Sequence, residues 1–189
     1  CSGTELIAGV VAGYEVSNRI AAAVQPAHYD YWHTTGTVGA FGAAAAASKL
    51  MNLTAAQTKH AIGNAATMAA ALQQAFRSDA MSKPLHAGRA AETGVLCAQM
   101  ALAGVTGADN MLEGPCGFGN AMSQNVNWET AFANLGDDYT ITLMTQKNHC
   151  CCGHTFAAID SVLALRKETQ LNLGSVKKIH IKSYGKAAE

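Results

Sequence analysis

Three short runs hold the side chains that could move protons or bind anions. Met81-Ser82-Lys83-Pro84-Leu85-His86-Ala87-Gly88-Arg89 places a lysine, a histidine and an arginine within seven residues. Trp32-His33-Thr34-Thr35-Gly36-Thr37 sets a histidine ahead of a glycine–threonine turn. Lys147-Asn148-His149-Cys150-Cys151-Cys152-Gly153-His154 gathers a lysine, two histidines and three thiols. His33 reads either as a loop histidine bonded to backbone or as a general acid/base or carboxylate ligand, roles that imidazole fills near neutral pH. The turn leading from it into an apolar helix favours the second reading. Lys83 has apolar neighbours in Met81, Pro84 and Leu85, so its stem packs and its ammonium needs an anionic partner. His86 either contacts a substrate or pins this loop to the following helix. Arg89, expected in a first helical turn, opposes the dipole there and calls for an ion pair with Glu92 or Glu15. Adjacent cysteines do not share one tetrahedral zinc easily, and no second Cys/His pair stands at finger spacing, so no metal is expected. A Cys–His nucleophile has no supporting motif nearby, which leaves loop or buried thiols as the plain reading of that run.

The elements that must carry these runs are mostly helical. Thr4 to Val24 shows helical spacing with Thr4 as N-cap, and Pro26 stops it. Residues 27–37 read as a loop rich in aromatics and histidine. Val38 to Met51, with five consecutive alanines, reads as a smooth buried helix. Thr54-Ala55-Ala56-Gln57 is a capping box opening a helix to about Gln73. Residues 74–88 form the cationic loop, which delivers its charges to the N-terminus of a helix over 90–103, with Gly104 closing it. A loop-rich stretch follows, then a short helix from Asn127. Residues 139–145 and 176–183 alternate like strands around a helix over 155–167.

The chain has 13 basic and 13 acidic residues, so charge gives no reason to expect nucleic acid or an anionic membrane as partner. Charged residues are only 14% and hydrophobic ones 49%, with much alanine, a composition that hides surface in helix–helix or subunit contacts. No run approaches the ~20 apolar residues of a membrane span. The six cysteines make no disulfide framework, which points to a reducing compartment: the cytoplasm, or the mitochondrion in a eukaryote. The ends, Cys1 and a strand-like tail, have the look of a fragment. From the residues alone two functions stand open. One is an enzyme on a small di- or tricarboxylate, which needs His33, Lys83 and Lys147 around one pocket. The other is a non-catalytic helical assembly module.

Four motifs in order resemble one family. They are Trp32 to Leu50, Met81 to Ala91, Glu113-Gly114-Pro115-Cys116-Gly117-Phe118, and Lys147 to Asp160. The family is MmgE/PrpD: 2-methylcitrate dehydratases, cis-aconitate decarboxylases and iminodisuccinate epimerases. The resemblance implies a mainly α fold, with an alanine/glycine-rich helical domain over 1–137 and the first strands of a small α+β lid domain over 138–189. It implies a homodimer and cofactor-independent lyase chemistry: α-proton abstraction and β-hydroxyl loss on a 2-methylcitrate-like polycarboxylate. His33 and Lys83 match its active-site histidine and lysine, and Lys147 a second pocket lysine. Cys152 stands where some members of that family, the decarboxylases in particular, carry a further histidine, a departure that argues against decarboxylation. Cys152 and His86 complete the substrate-binding set. The family's aspartate and first histidine would lie upstream of Cys1.

Overall fold

The computed structural model describes residues 1–169 and 171–188. Among them the chain is helical, and its single β pairing is an isolated antiparallel bridge between Trp32 and Leu72. The mainly α class expected from the sequence is the one found. The described residues fall into two compact units, Cys1–Leu143 and a second from Met144 onward.

The first unit is built around α2 (Thr34–Leu50), which packs against α1 (Gly3–Val24), α3 (Ala55–Met68) and α4 (Lys83–Leu102). Short helices α5 (Phe118–Met122) and α6 (Trp128–Phe132) close over α1. Alanine lets these helices approach closely. The buried core is Ala40, Ala44, Ala61, Ala65, Ala98 and Ala101, with Ile20, Val24 and Phe41 as its larger members. Phe41 meets Phe118 edge-on at 4.8 Å. The α2–α4 contact is the tightest: a Cβ on Gly94 would stand 2.3 Å from that of Ala43 and 2.4 Å from the Ala44 nitrogen.

Local signals explain the helix ends. Ser2, not Thr4, caps α1, in a reciprocal box with Glu5 that a shift of two residues concealed. The Thr54–Gln57 box opens α3 as expected. That helix stops at Met68 rather than near Gln73, because the chain beyond it runs extended so that 71–73 pair with 31–33. Helix α2 begins at Thr34, not Val38, and α4 begins at Lys83, not Ala90. Pro84 explains the second: in the first turn it presets φ and gives up an N–H with no partner there. Arg89 therefore sits one to two turns in, and its partner is Glu92 at 2.7 Å. Gly104, at φ +93°, follows the end of α4.

A buried ion pair ties the C-terminal part of this unit to α1. Arg19 Nε donates to Glu15 Oε1 at 2.5 Å, and its other nitrogens donate to the carbonyls of Ala131, Ala133 and Asp138. Glu15 Oε2 accepts from the backbone N–H and hydroxyl of Thr140. Burial pushes the Glu15 carboxyl up, but Arg19 and Thr140 together hold it below its usual value. This bonding also corrects the strand expected over 139–145. Thr140 gives its N–H to Glu15 instead of a neighbouring strand, and 140–143 form a 3₁₀ turn.

In the second unit, α7 (Phe156–Thr169) matches the expected helix, and the short α8 spans Gly185–Ala188. The strand expected over 176–183 is not formed: the segment has no regular structure, and no described strand is there to accept its backbone groups. No helix among the described residues is long and apolar enough to cross a membrane.

Candidate active site

His33 is placed by both of its neighbours in the chain. It is the N-cap of α2, and its backbone N–H donates to the Ala71 carbonyl at 2.9 Å. Beside it the Trp32–Leu72 bridge and the bond from Gln73 N–H to the Tyr31 carbonyl fasten the 31–33 segment to 71–73. As N-cap its side chain makes no capping bond, so the ring is turned to other partners.

Those partners come from α4 and the turn before it. His33 Nδ1 lies 2.8 Å from Nδ1 of His86. The His33 ring stands edge-on to Phe76, centroids 4.5 Å apart. Lys83 Nζ sits over the same Phe76 ring at 4.4 Å, a cation–π contact. Lys83 and His86 are three apart on one helix and so share a face. Helix α4 comes this near because residue 36 is glycine: a Cβ there would stand 2.3 Å from that of Ala71 and 3.1 Å from that of His86. The packing that closes α2 on α4 is thus the packing that pairs the two histidines.

The setting decides the charge state. Burial, then the neighbouring His86, then the Lys83 ammonium push the His33 pKa from 6.5 down to about 4. At neutral pH His33 is an uncharged imidazole beside an exposed lysine, able to take a proton and next to a cation that attracts carboxylates.

His28 lies beneath this cluster. Wholly buried, it bonds the Met122 carbonyl through Nδ1 at 3.0 Å and the Thr37 hydroxyl through Nε2 at 2.8 Å. Its pKa is lowered by burial, so it is neutral, and it braces the first turn of α2 against α5. The Phe76 platform was not singled out from the sequence. Its one signal there is an aromatic residue inside a mostly polar stretch, Gln73 to Asp79.

Lys147 and Cys152 belong to the second unit. Lys147 Nζ donates to the Cys151 carbonyl at 3.3 Å. Cys152 is exposed and its carbonyl accepts from the Thr155 hydroxyl at 2.7 Å. His149 pairs with Asp160 at 2.7 Å, and Cys151 Sγ lies 3.2 Å from the Thr155 hydroxyl. The structure thus brings together His33, Lys83 and His86 within the first unit. An open groove of about 470 Å³ elsewhere in that unit, between α3 and 108–113, is walled largely by Leu53, Ile62, Met111 and Leu112. Among the described residues its lining charges are an exposed Lys59–Asp109 pair and Glu113, with no histidine or thiol.

Comparison with known proteins supplies a family for the chain. The profile of the MmgE/PrpD N-terminal domain matches residues 1–131. A cis-aconitate decarboxylase-like protein of Aspergillus oryzae is 28% identical over 88% of this chain and 36% of its own length. The cis-aconitate decarboxylase of Aspergillus terreus is 26% identical over 95% of this chain and 39% of its own length. The human cis-aconitate decarboxylase is 32% identical over 62% of this chain and 24% of its own length. The chain thus spans less than two fifths of the length of these relatives.

Proposed function

The chain belongs to the MmgE/PrpD family, and from that premise we propose that the full-length protein is a lyase of small polycarboxylates, with His33 as its proton-transfer group and Lys83 as a carboxylate clamp. The observation that carries the reading is the cluster itself: a neutral histidine held 2.8 Å from a second histidine, with a lysine ammonium on a shared aromatic platform. Removing a proton α to a carboxylate builds negative charge on that carboxylate. A cation fixed in advance stabilises this charge, usually the largest single need of such a transition state. His33, uncharged at neutral pH, takes the proton or hands one to a departing hydroxyl.

The reaction we assign is loss of a β-hydroxyl as water from a 2-methylcitrate-like substrate, because Cys152 replaces the histidine that the family resemblance gives decarboxylases. Decarboxylation of a cis-aconitate-like substrate is the second reading, favoured by the names of the relatives. Lys147 and Cys152 keep substrate-binding roles on the family resemblance alone. So do the homodimer, the cytoplasmic location and the lid domain over 138–189. Incubating the full-length protein with 2-methylcitrate, cis-aconitate and iminodisuccinate, and following both CO₂ release and alkene formation, separates the readings. Alkene without CO₂ is the expected result. CO₂ release establishes the second reading, and no turnover of any of the three, from protein with a native melting transition, counts against both.

A further inference from the structure

We propose that His86 is a positioning residue that shares one bridging proton with His33, sets which His33 nitrogen is free to act, and accepts the bridging proton when His33 takes one from substrate. This rests on the reading of His33 as the base.

The geometry carries the argument. Two ring nitrogens 2.8 Å apart cannot both bear protons, and two bare lone pairs would repel at that distance, so one proton lies between them. A neutral imidazole has one N–H. When His33 supplies the bridging proton from Nδ1, its Nε2 is a bare lone pair and a base. When His86 supplies it, His33 carries its own proton on Nε2 and is a donor. The choice between base and acid at Nε2 is therefore made at the His86 end of the bridge.

Both rings are fixed well enough for this. His33 is held by the N-cap of α2 and by the edge of Phe76. His86 lies one turn into α4, at the point where Gly36 lets the helices meet. The charged and titratable groups facing His33 are His86 and Lys83, both from α4. The turn over 73–76 presents Phe76, and α2 presents threonines and glycine. Burial and these two neighbours make His33 a poor seat for a lasting positive charge.

Proton transfer then balances as follows. The substrate C–H bond breaks and a His33 Nε2–H bond forms. The His33 Nδ1–H bond breaks and a His86 Nδ1–H bond forms. The electron pair of the C–H bond stays on the substrate, and the net positive charge ends on His86 rather than His33. For return of the proton to a leaving hydroxyl, His33 already carries it on Nε2.

The test is ¹⁵N NMR of histidine-labelled full-length protein, which distinguishes Nδ1–H from Nε2–H at His33. Wild type is expected to show Nδ1–H. His86→Phe keeps the bulk but removes the acceptor, and is expected to move His33 to Nε2–H. His86→Asn offers a carbonyl at the same place, so it is expected to keep Nδ1–H yet lose the proton store. For that variant kcat should fall about tenfold or more with KM little changed, which a structural role alone would not produce. An Nε2–H tautomer in wild type, or no change of tautomer in a folded His86→Phe protein, overturns the proposal. Should His86→Phe fail to fold, a His86→Asn variant with unchanged kcat overturns the proton-store role. The tautomer needs no substrate to be read. A switch of tautomer together with no turnover of any polycarboxylate therefore leaves the pairing standing and counts against the lyase reading.

Discussion

At the scale of single residues, the consequence of most weight is the depressed pKa of His33. The unfolded ring titrates near 6.5 and the folded one near 4. Between those values the unfolded chain holds a proton that the folded chain does not, so stability falls as pH falls through this window. His28, also lowered by burial, acts in the same direction. Equilibrium denaturation from pH 7 to pH 4 should show this loss, and His33→Gln should flatten it. A bound polycarboxylate reverses the local field, because its charge offsets Lys83 and favours the imidazolium. We expect wild type to take up more protons than His33→Gln when a tricarboxylate binds at about pH 5.5, between the two pKa values, seen as a difference in buffer-dependent enthalpy by calorimetry. Equal proton exchange in the two proteins would separate His33 from the anion site. The polar members of this cluster were legible from sequence because their types and spacing are unusual: a histidine before a glycine–threonine turn, and Lys83 with His86 around a proline. Phe76 was not, because a lone aromatic residue carries no spacing signal until α2 and α4 are folded together.

At the scale of elements, two contacts decide whether the site is assembled. Gly94 permits the closest approach of α4 to α2. Gly94→Ala would drive a Cβ to 2.3–2.4 Å from Ala43 and Ala44, so helix separation or loss of folding is expected, costing about 1–3 kcal/mol or more. Arg19→Ala would leave Glu15 buried without its partner and release the carbonyls of Ala131, Ala133 and Asp138. Loss of about 3–5 kcal/mol is expected in urea denaturation. Ser48 is a contrast: it is wholly buried and, among the described residues, its hydroxyl has no partner. Ser48→Ala should be neutral or stabilising. The long helices were legible because apolar spacing and the Thr54–Gln57 box are local signals. Their ends were misplaced where pairing between segments or a proline in the first turn decides them. The chain leaves α3 after Met68 so that 71–73 pair with 31–33, and Pro84 sets the start of α4 earlier than the alanine run implies. The strand pattern at 139–145 failed for a similar reason, since alternation cannot reveal that Glu15, far away in sequence, takes the Thr140 N–H.

At the scale of the whole molecule, the chain is a helical unit carrying a histidine–lysine cluster and a second, smaller unit carrying Lys147 and the cysteine run. It matches under two fifths of the length of its curated relatives, so its chemistry belongs to the full-length protein. Family membership was legible from four ordered motifs, and the residues 1–131 that match its N-terminal domain contain the His33–Lys83–His86 cluster. Which bond is broken was legible only through Cys152, because the family resemblance gives dehydratases, decarboxylases and epimerases the other loops in common. The central claim is that Lys83 stabilises developing carboxylate charge beside His33. It is tested most directly by kcat/KM of full-length Lys83→Ala on whichever polycarboxylate the wild type turns over, with thermal unfolding measured alongside. The account predicts a loss of about 2–4 kcal/mol in transition-state stabilisation, by analogy with a lost oxyanion donor, with the melting temperature little changed. Turnover within about threefold of wild type, well under 1 kcal/mol, would contradict it.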